Sequence, residues 1–134
     1  MPQPIIDLIE QHHGTTLVEY FFKRATRQQE EQNESSSPVD EADFRYPGPK
    51  PQTPEAAVMM LADTVESASR ALREPAPARI ENLVQEISKK KFDDGQFDEC
   101  KITIEQLFTI QASLIKSLNA MYHARVKYPE QQTA

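Results

Sequence analysis

Apolar residues recur at helical spacing in five stretches of this chain, which predicts an all-α domain of about five helices. The first, over residues 1–12, tolerates Pro2 and Pro4 in its opening turn and carries Ile5, Leu8, Ile9 and His12 as its buried stripe. His13, four residues after Ile9, borders the same face. Gly14 can stop or bend this helix, and Thr15 or Thr16 can cap a second one running to near Thr26 with Leu17, Val18, Phe21, Phe22 and Ala25 inward. Thr53 as N-cap, Pro54 at the first position and Glu55 at the positive end of the dipole predict a third helix reaching Leu72. Its main stripe is Ala57, Leu61, Val65, Ala68 and Leu72, and Ala56, Met59 and Met60 widen it until the first half reads as buried on more than one side. Pro75 and Pro77 precede a fourth helix over residues 78–90, with Ile80, Leu83, Val84 and Ile87 inward. Thr103 and Gln106 form a capping box for the last, which should end near His123 after Leu107, Leu114, Ile115 and Leu118.

Two connecting stretches differ in kind. Residues 28–43 are polar, acidic and Ser-rich, too poor in apolar surface to offset their ordering entropy, and read as a disordered surface loop. Residues 44–53 combine Pro47, Gly48, Pro49 and Pro51 with two aromatics and two cations. They predict an ordered loop laid over the protein, from which Arg45 and Lys50 could face a cleft.

The net charge of −6 would suggest an acidic protein if it were evenly spread. It is concentrated in residues 28–43, which hold six acids and no Lys or Arg, so the other 15 acids balance the 15 basic residues. A balanced remainder argues against a broad footprint for a nucleic-acid polymer. Lys89, Lys90 and Lys91 read as cations favourably placed at a helix C-terminus. The single Cys100 excludes an intramolecular disulfide and reads as a small core residue, consistent with a reducing compartment. No apolar run approaches the roughly 20 residues needed to span a bilayer.

Candidate chemistry gathers on His12, His13 and Asp63, with Arg45 and Lys50 on the loop leading into the Asp63 helix. Paired His with an Asp in an apolar helix is a ligand set for iron, manganese or zinc. Spacing alone leaves open a different arrangement, in which His12 is a satisfied core residue, His13 is exposed and Asp63 pairs with Arg70 or with a neighbouring helix. His123, near a helix end, reads as a surface group.

Several blocks then come together. His12-His13-Gly14-Thr15-Thr16-Leu17, the run from Phe44 through Thr53 and Met60-Leu61-Ala62-Asp63 stand in one order with Asp94-Gly95-Gln96-Phe97-Asp98-Glu99-Cys100 and the closing Arg125-Val126-Lys127-Tyr128-Pro129-Glu130. In this order they resemble the cytoplasmic HD domain of the membrane-anchored seven-transmembrane HD phosphohydrolases. The resemblance covers nearly the whole chain apart from the acidic loop. It implies a helical bundle with a two-metal centre, commonly iron or manganese, that hydrolyses cyclic di-AMP to linear pApA. It also implies that His12, His13 and Asp63 are metal ligands and that the parent is anchored in the inner membrane with this part in the cytoplasm.

The family's upstream His, its adjacent His-Asp dyad and a further His have no counterpart among these residues. The expectation is therefore the C-terminal portion of a single HD domain over residues 1–134, lacking its N-terminal helices and inactive by itself. Its partners would be the cyclic dinucleotide and the missing half of the domain, with self-association through uncovered apolar faces as a further outcome. The alternative is a helical interaction module, or a nucleotide sensor, without catalysis.

Overall fold

A computed structural model of the chain describes residues 1–32 and 38–133, with side chains described as far as His123. Among the described residues there are five α-helices and no strand: α1 (Gln3–Gln11), α2 (Glu19–Glu31), α3 (Pro54–Ser69), α4 (Pro77–Asp93) and α5 (Ile104–Thr133), with a short 3-10 turn over Glu41–Phe44. The helix α3 is the centre. It packs against α1, α4 and α5, while α4 and α5 also pack against each other.

Its start follows the expected chemistry: the Thr53 hydroxyl accepts from the Ala56 amide at 3.2 Å, and Pro54 occupies the first turn. Ala56, Ala57, Met60, Leu61 and Val65 are all buried. Ala57, Met60 and Leu61 meet Phe97 and Cys100 in one core cluster, closed over by Ile87, Leu107, Ile110 and Leu114. One helical turn further along, Val65 meets Ile80, Val84 and Leu118 in a second. Truncating a side chain such as Leu61, fully enclosed here, costs about 2–5 kcal/mol in a comparable core. The capping box of α5 is formed in both directions, with the Gln106 amide donating to Thr103 Oγ1 at 3.0 Å and the Thr103 amide to Gln106 Oε1 at 2.9 Å.

Several expectations shift. The α1 stripe is only partly covered: Ile5 and Ile9 are exposed, Leu8 and His12 are half-buried, and the one buried residue of α1 is Gln11. Helix α1 turns Gln11 towards α3 and the 44–53 loop, and leaves Ile5 and Ile9 uncovered among the described residues. Neither Thr15 nor Thr16 caps α2, whose N-cap is Val18 without a side-chain bond. Phe21 and Met59 are exposed as well. Helix α2 continues to Glu31, because Gln and Glu suit a solvent-facing helix as well as a loop. At the far side of the acidic stretch the 3-10 turn is capped by Asp40, whose carboxylate accepts from the Ala42 amide at 3.0 Å. The Ser-rich residues 33–37 lie outside the described residues. Helix α3 stops at Ser69, short of Leu72, whereas α4 runs to Asp93 and α5 to Thr133, since no Gly or Asn stop follows His123.

Residues 45–53 form no regular element yet are held at several points. The Val18 amide donates to the Phe44 carbonyl at 2.7 Å and the Tyr46 amide to the Thr16 carbonyl at 3.0 Å, making one antiparallel bridge at Leu17 and Arg45. Pro51 is fully buried, and the Gln52 amide donates to Gln11 Oε1 at 3.0 Å. This loop therefore clamps the turn after α1 against the start of α3. No helix of the described residues is long and apolar enough to cross a membrane.

Candidate metal centre

The turn that follows α1 is where the chemistry converges. Hydrogen bonds from the Gly14 amide to the Gln11 carbonyl (2.9 Å) and from the Thr16 amide to the His13 carbonyl (3.0 Å) fold the chain tightly after the paired histidines. Gly14 has φ +52°, and a Cβ there would lie 2.5 Å from Gln96 Oε1 and 2.8 Å from Met60 Cε. Both the left-handed backbone and the close approach favour glycine. The two imidazoles stand 3.9 Å apart, centroid to centroid, and His13 stacks on Tyr46 at 4.3 Å with nearly parallel rings.

Helix α3 brings Asp63 to them. One donor atom each from His12, His13 and Asp63 can be chosen so that all three lie within 4.8 Å of one another, a spacing suited to a shared divalent ion. The carboxylate is at the exposed side of α3 rather than in its buried half, and Arg70 pairs with Glu66 at 2.5 Å, not with Asp63. The three donor groups are thus close together, and the alternative pair of Asp63 with Arg70 does not form. His12 Nδ1 donates to the Ile9 carbonyl at 2.7 Å, a contact that requires the proton on Nδ1 and leaves the Nε2 lone pair for a ligand bond. Burial, with His12 and Lys91 adding to it against the pull of Asp63, lowers the pKa of His13. The lowered pKa favours the neutral ring, the form that binds metal. Both the tautomer and the protonation state fit a metal ligand set.

The side chains that support this turn do so in ways the sequence did not suggest. Gln96 is fully buried: its Oε1 accepts from the Thr15 amide at 3.0 Å, and its Nε2 donates to Thr15 Oγ1 (3.0 Å) and Asp94 Oδ2 (2.9 Å). Arg45 donates to both Asp94 oxygens, at 3.0 and 2.9 Å, to the Thr15 carbonyl at 2.8 Å and to Glu41 at 3.1 Å. The bond to the Arg45 guanidinium holds the Asp94 carboxyl below its usual range, and the same pair raises Arg45. In sequence, Asp94-Gly95-Gln96 looks like an ordinary turn; its side chains in fact tie the end of α4 to the backbone beside His13. Lys50 lies against the same turn, its Nζ 3.4 Å from where a Cβ on Gly95 would sit. Lys91, expected at a solvated helix end, is buried and donates to Thr16 Oγ1 at 2.9 Å. One signal pointed to it: continuing the Ile80, Val84, Ile87 stripe by a turn lands on residue 91. Cys100 is in the core, where burial raises its thiol pKa, and His123 is exposed.

No protein-family model matches the chain. It is 48% identical over 130 residues to the cyclic-di-AMP phosphodiesterase PgpH of Listeria monocytogenes serotype 1/2a (strain 10403S), covering 97% of this chain and 17% of that protein. The PgpH of Bacillus subtilis (strain 168) is 44% identical over 129 residues, with 96% and 17% covered. The crystal structure of the L. monocytogenes PgpH HD domain superposes with a TM-score of 0.81 at 48% identity, over 92% of this chain and 54% of that one. A crystal structure of the same domain in complex with cyclic-di-AMP gives the same score over 91% and 54%. The chain thus spans a small part of its curated relatives and about half of the solved domain. Over nearly all its residues, in sequence and in fold, it matches a portion of the HD domain of the PgpH phosphodiesterases.

Proposed function

We propose that this chain contributes part of the metal centre of an HD-type phosphodiesterase that hydrolyses cyclic di-AMP to pApA. The observation that carries the reading is the convergence of His12, His13 and Asp63 donor atoms within 4.8 Å. A pair of divalent ions, iron or manganese by the resemblance, would polarise the phosphodiester and lower the pKa of the attacking water. The chain's own residues do the positioning. The Ile9 carbonyl orients His12, Tyr46 holds the plane of His13, and the Gln96 and Arg45–Asp94 bonds fix the turn that carries both rings. Of the two loop cations, Lys50 remains available to substrate phosphate, while the fork of Arg45 is engaged by Asp94 and serves the turn.

Three ligands do not hold two catalytic ions, so the remaining ligands come from further helices of an HD domain, in a protein whose HD domain faces the cytoplasm and is anchored to the membrane. The exposed Ile5, Ile9 and Phe21 support such a partner, and equally a self-associating module without catalysis. Equilibrium dialysis with Mn(II) followed by elemental analysis tests the ligand assignment. Asp63→Ala should lose the retained Mn(II) while keeping its helical circular dichroism, and unchanged metal content would sink the assignment. The Mn(II)-loaded chain alone should release pApA far more slowly than an intact HD domain. Turnover by a monomeric chain at the intact rate would show that no further ligands are needed.

A further inference from the structure

A crevice of about 860 Å³ opens between the Thr16–Glu19 segment, α3 at Thr64 and Ala68, and the C-terminal half of α4. Its size is that of a small-molecule site. Four cations line it: Arg45, Lys89, Lys90 and Lys91. Three of them are paired with carboxylates, Arg45 with Asp94, Lys89 with Asp93 and Lys90 with Glu19. Among the described residues, Lys91 alone of the four has no carboxylate within ion-pair distance, and it is also the buried one, at 7% exposure. Its ammonium donates to a neutral group, Thr16 Oγ1, at 2.9 Å.

Asp94, Glu19 and Asp63 act on this ammonium only from beyond ion-pair distance, so its burial is incompletely compensated in the free protein, and an anion in direct contact would compensate it further. Burial lowers the Lys91 pKa to about 8, which still leaves the amine mostly protonated at neutral pH. The position is next to the proposed chemistry. Thr16 is bonded through its amide to the His13 carbonyl, Thr64 follows Asp63 on α3, the charge of Lys91 acts on His13, and the Asp63 carboxylate acts on Lys91. Leu17, Ala68 and Ile87 give the same crevice apolar walls against which a base can lie.

We propose that the Lys91 ammonium and the Thr16 hydroxyl form a phosphate subsite in this crevice, binding a non-bridging oxygen of a cyclic dinucleotide phosphodiester beside the His12, His13 and Asp63 ligands. The subsite rests on the phosphodiesterase reading for the identity of its ligand, but it is built from residues outside the metal set.

Calorimetric titration of cyclic di-AMP into the Mn(II)-loaded chain tests it. Lys91→Met should weaken binding about tenfold or more, the loss expected for one charge-assisted hydrogen bond. Lys91→Arg should restore part of it, Thr16→Val should weaken it by a smaller factor, and inorganic phosphate should compete in the unsubstituted chain. Lys89→Met, at an exposed pair, should change little. Mn(II) content measured in parallel separates the two ideas. Unaltered Mn(II) with dinucleotide affinity indifferent to Lys91→Met would overturn the subsite and spare the metal centre. Lys91-dependent binding without Mn(II) retention would do the reverse. Equal losses in Lys89→Met and Lys91→Met would mean diffuse charge attraction and also overturn the subsite. Melting temperature and circular dichroism of each variant are read alongside. If Lys91→Met does not fold, the decision passes to Thr16→Val and Lys91→Arg, and wild-type affinity in both overturns the proposal.

Discussion

The α3–α4–α5 half of the molecule and the α1–α2 half are built from the same kind of amphipathic sequence, yet only the first completes a core. Helix α3 buries five apolar side chains, and α4 and α5 add Ile80, Val84 and Leu118 to them. Helix α1 leaves Ile5 and Ile9 open, and α2 buries no residue at all. Even so, the candidate metal centre takes two of its ligands from the poorly covered half. What holds those ligands is a polar lattice, running from Gln96, Asp94 and Arg45 to the backbone around Thr15, and not hydrophobic packing. Core packing and site geometry therefore depend on different groups of residues.

The contrast can be broken most sharply in the packed half. Leu61→Ala should cost about 2–5 kcal/mol in chemical denaturation, the range for a fully enclosed side chain; a loss below about 1 kcal/mol would mean the α3 core is looser than its enclosure implies. Gly14→Ala comes next. It combines a left-handed backbone with an intrusion on Gln96 and Met60, so a loss of about 1–3 kcal/mol together with weakened Mn(II) retention is expected. Retained Mn(II) affinity in that variant would separate the turn from the ligands.

Smaller in size is the pH response of the lattice. Asp94 has a lowered folded pKa, so its contribution is complete above the unfolded carboxylate value and is lost as pH falls through that value towards the folded one. Asp94→Asn should reduce stability at neutral pH and flatten this acid limb. Thermal melts between about pH 2 and 6 would reveal it, and an unchanged limb would assign the acid sensitivity to other carboxylates. Smallest of all should be Ile9→Ser, within about 0.5 kcal/mol of the parent chain because the side chain is already exposed. The same change should suppress any self-association measured by light scattering, and a large destabilisation would show that the α1 face is covered.

How far these features were readable from the chain varies with how local their causes are. The Thr53 and Thr103 caps depend on residues three apart, and both formed as the spacing required. The α3 core stripe depends on one helix's own periodicity and was legible down to Met60, with Met59 the exception because the rotation of α3 against α4 and α5 turns it outward. His12, His13 and Asp63 were marked by residue type and by resemblance, while their convergence needed α3 to pack beneath the turn after α1.

Lys89, Lys90 and Lys91 show where local reading ends. The three are chemically identical and adjacent, and composition treats them alike. Helical rotation of about 100° per residue separates them: two meet water and carboxylates, while the third turns inward beneath Thr16. Gln96 is similar, a turn residue by type that becomes the fully buried anchor of a segment 81 residues away. By itself the sequence determined which segments are helical, where two of them are capped, and which residues have the chemistry to bind metal. Tertiary structure alone decided which apolar faces are covered, which lysine is buried and what holds the paired histidines in place. The physical reason is that propensity and capping are settled within a few residues, whereas burial and ion pairing belong to whichever distant element arrives opposite.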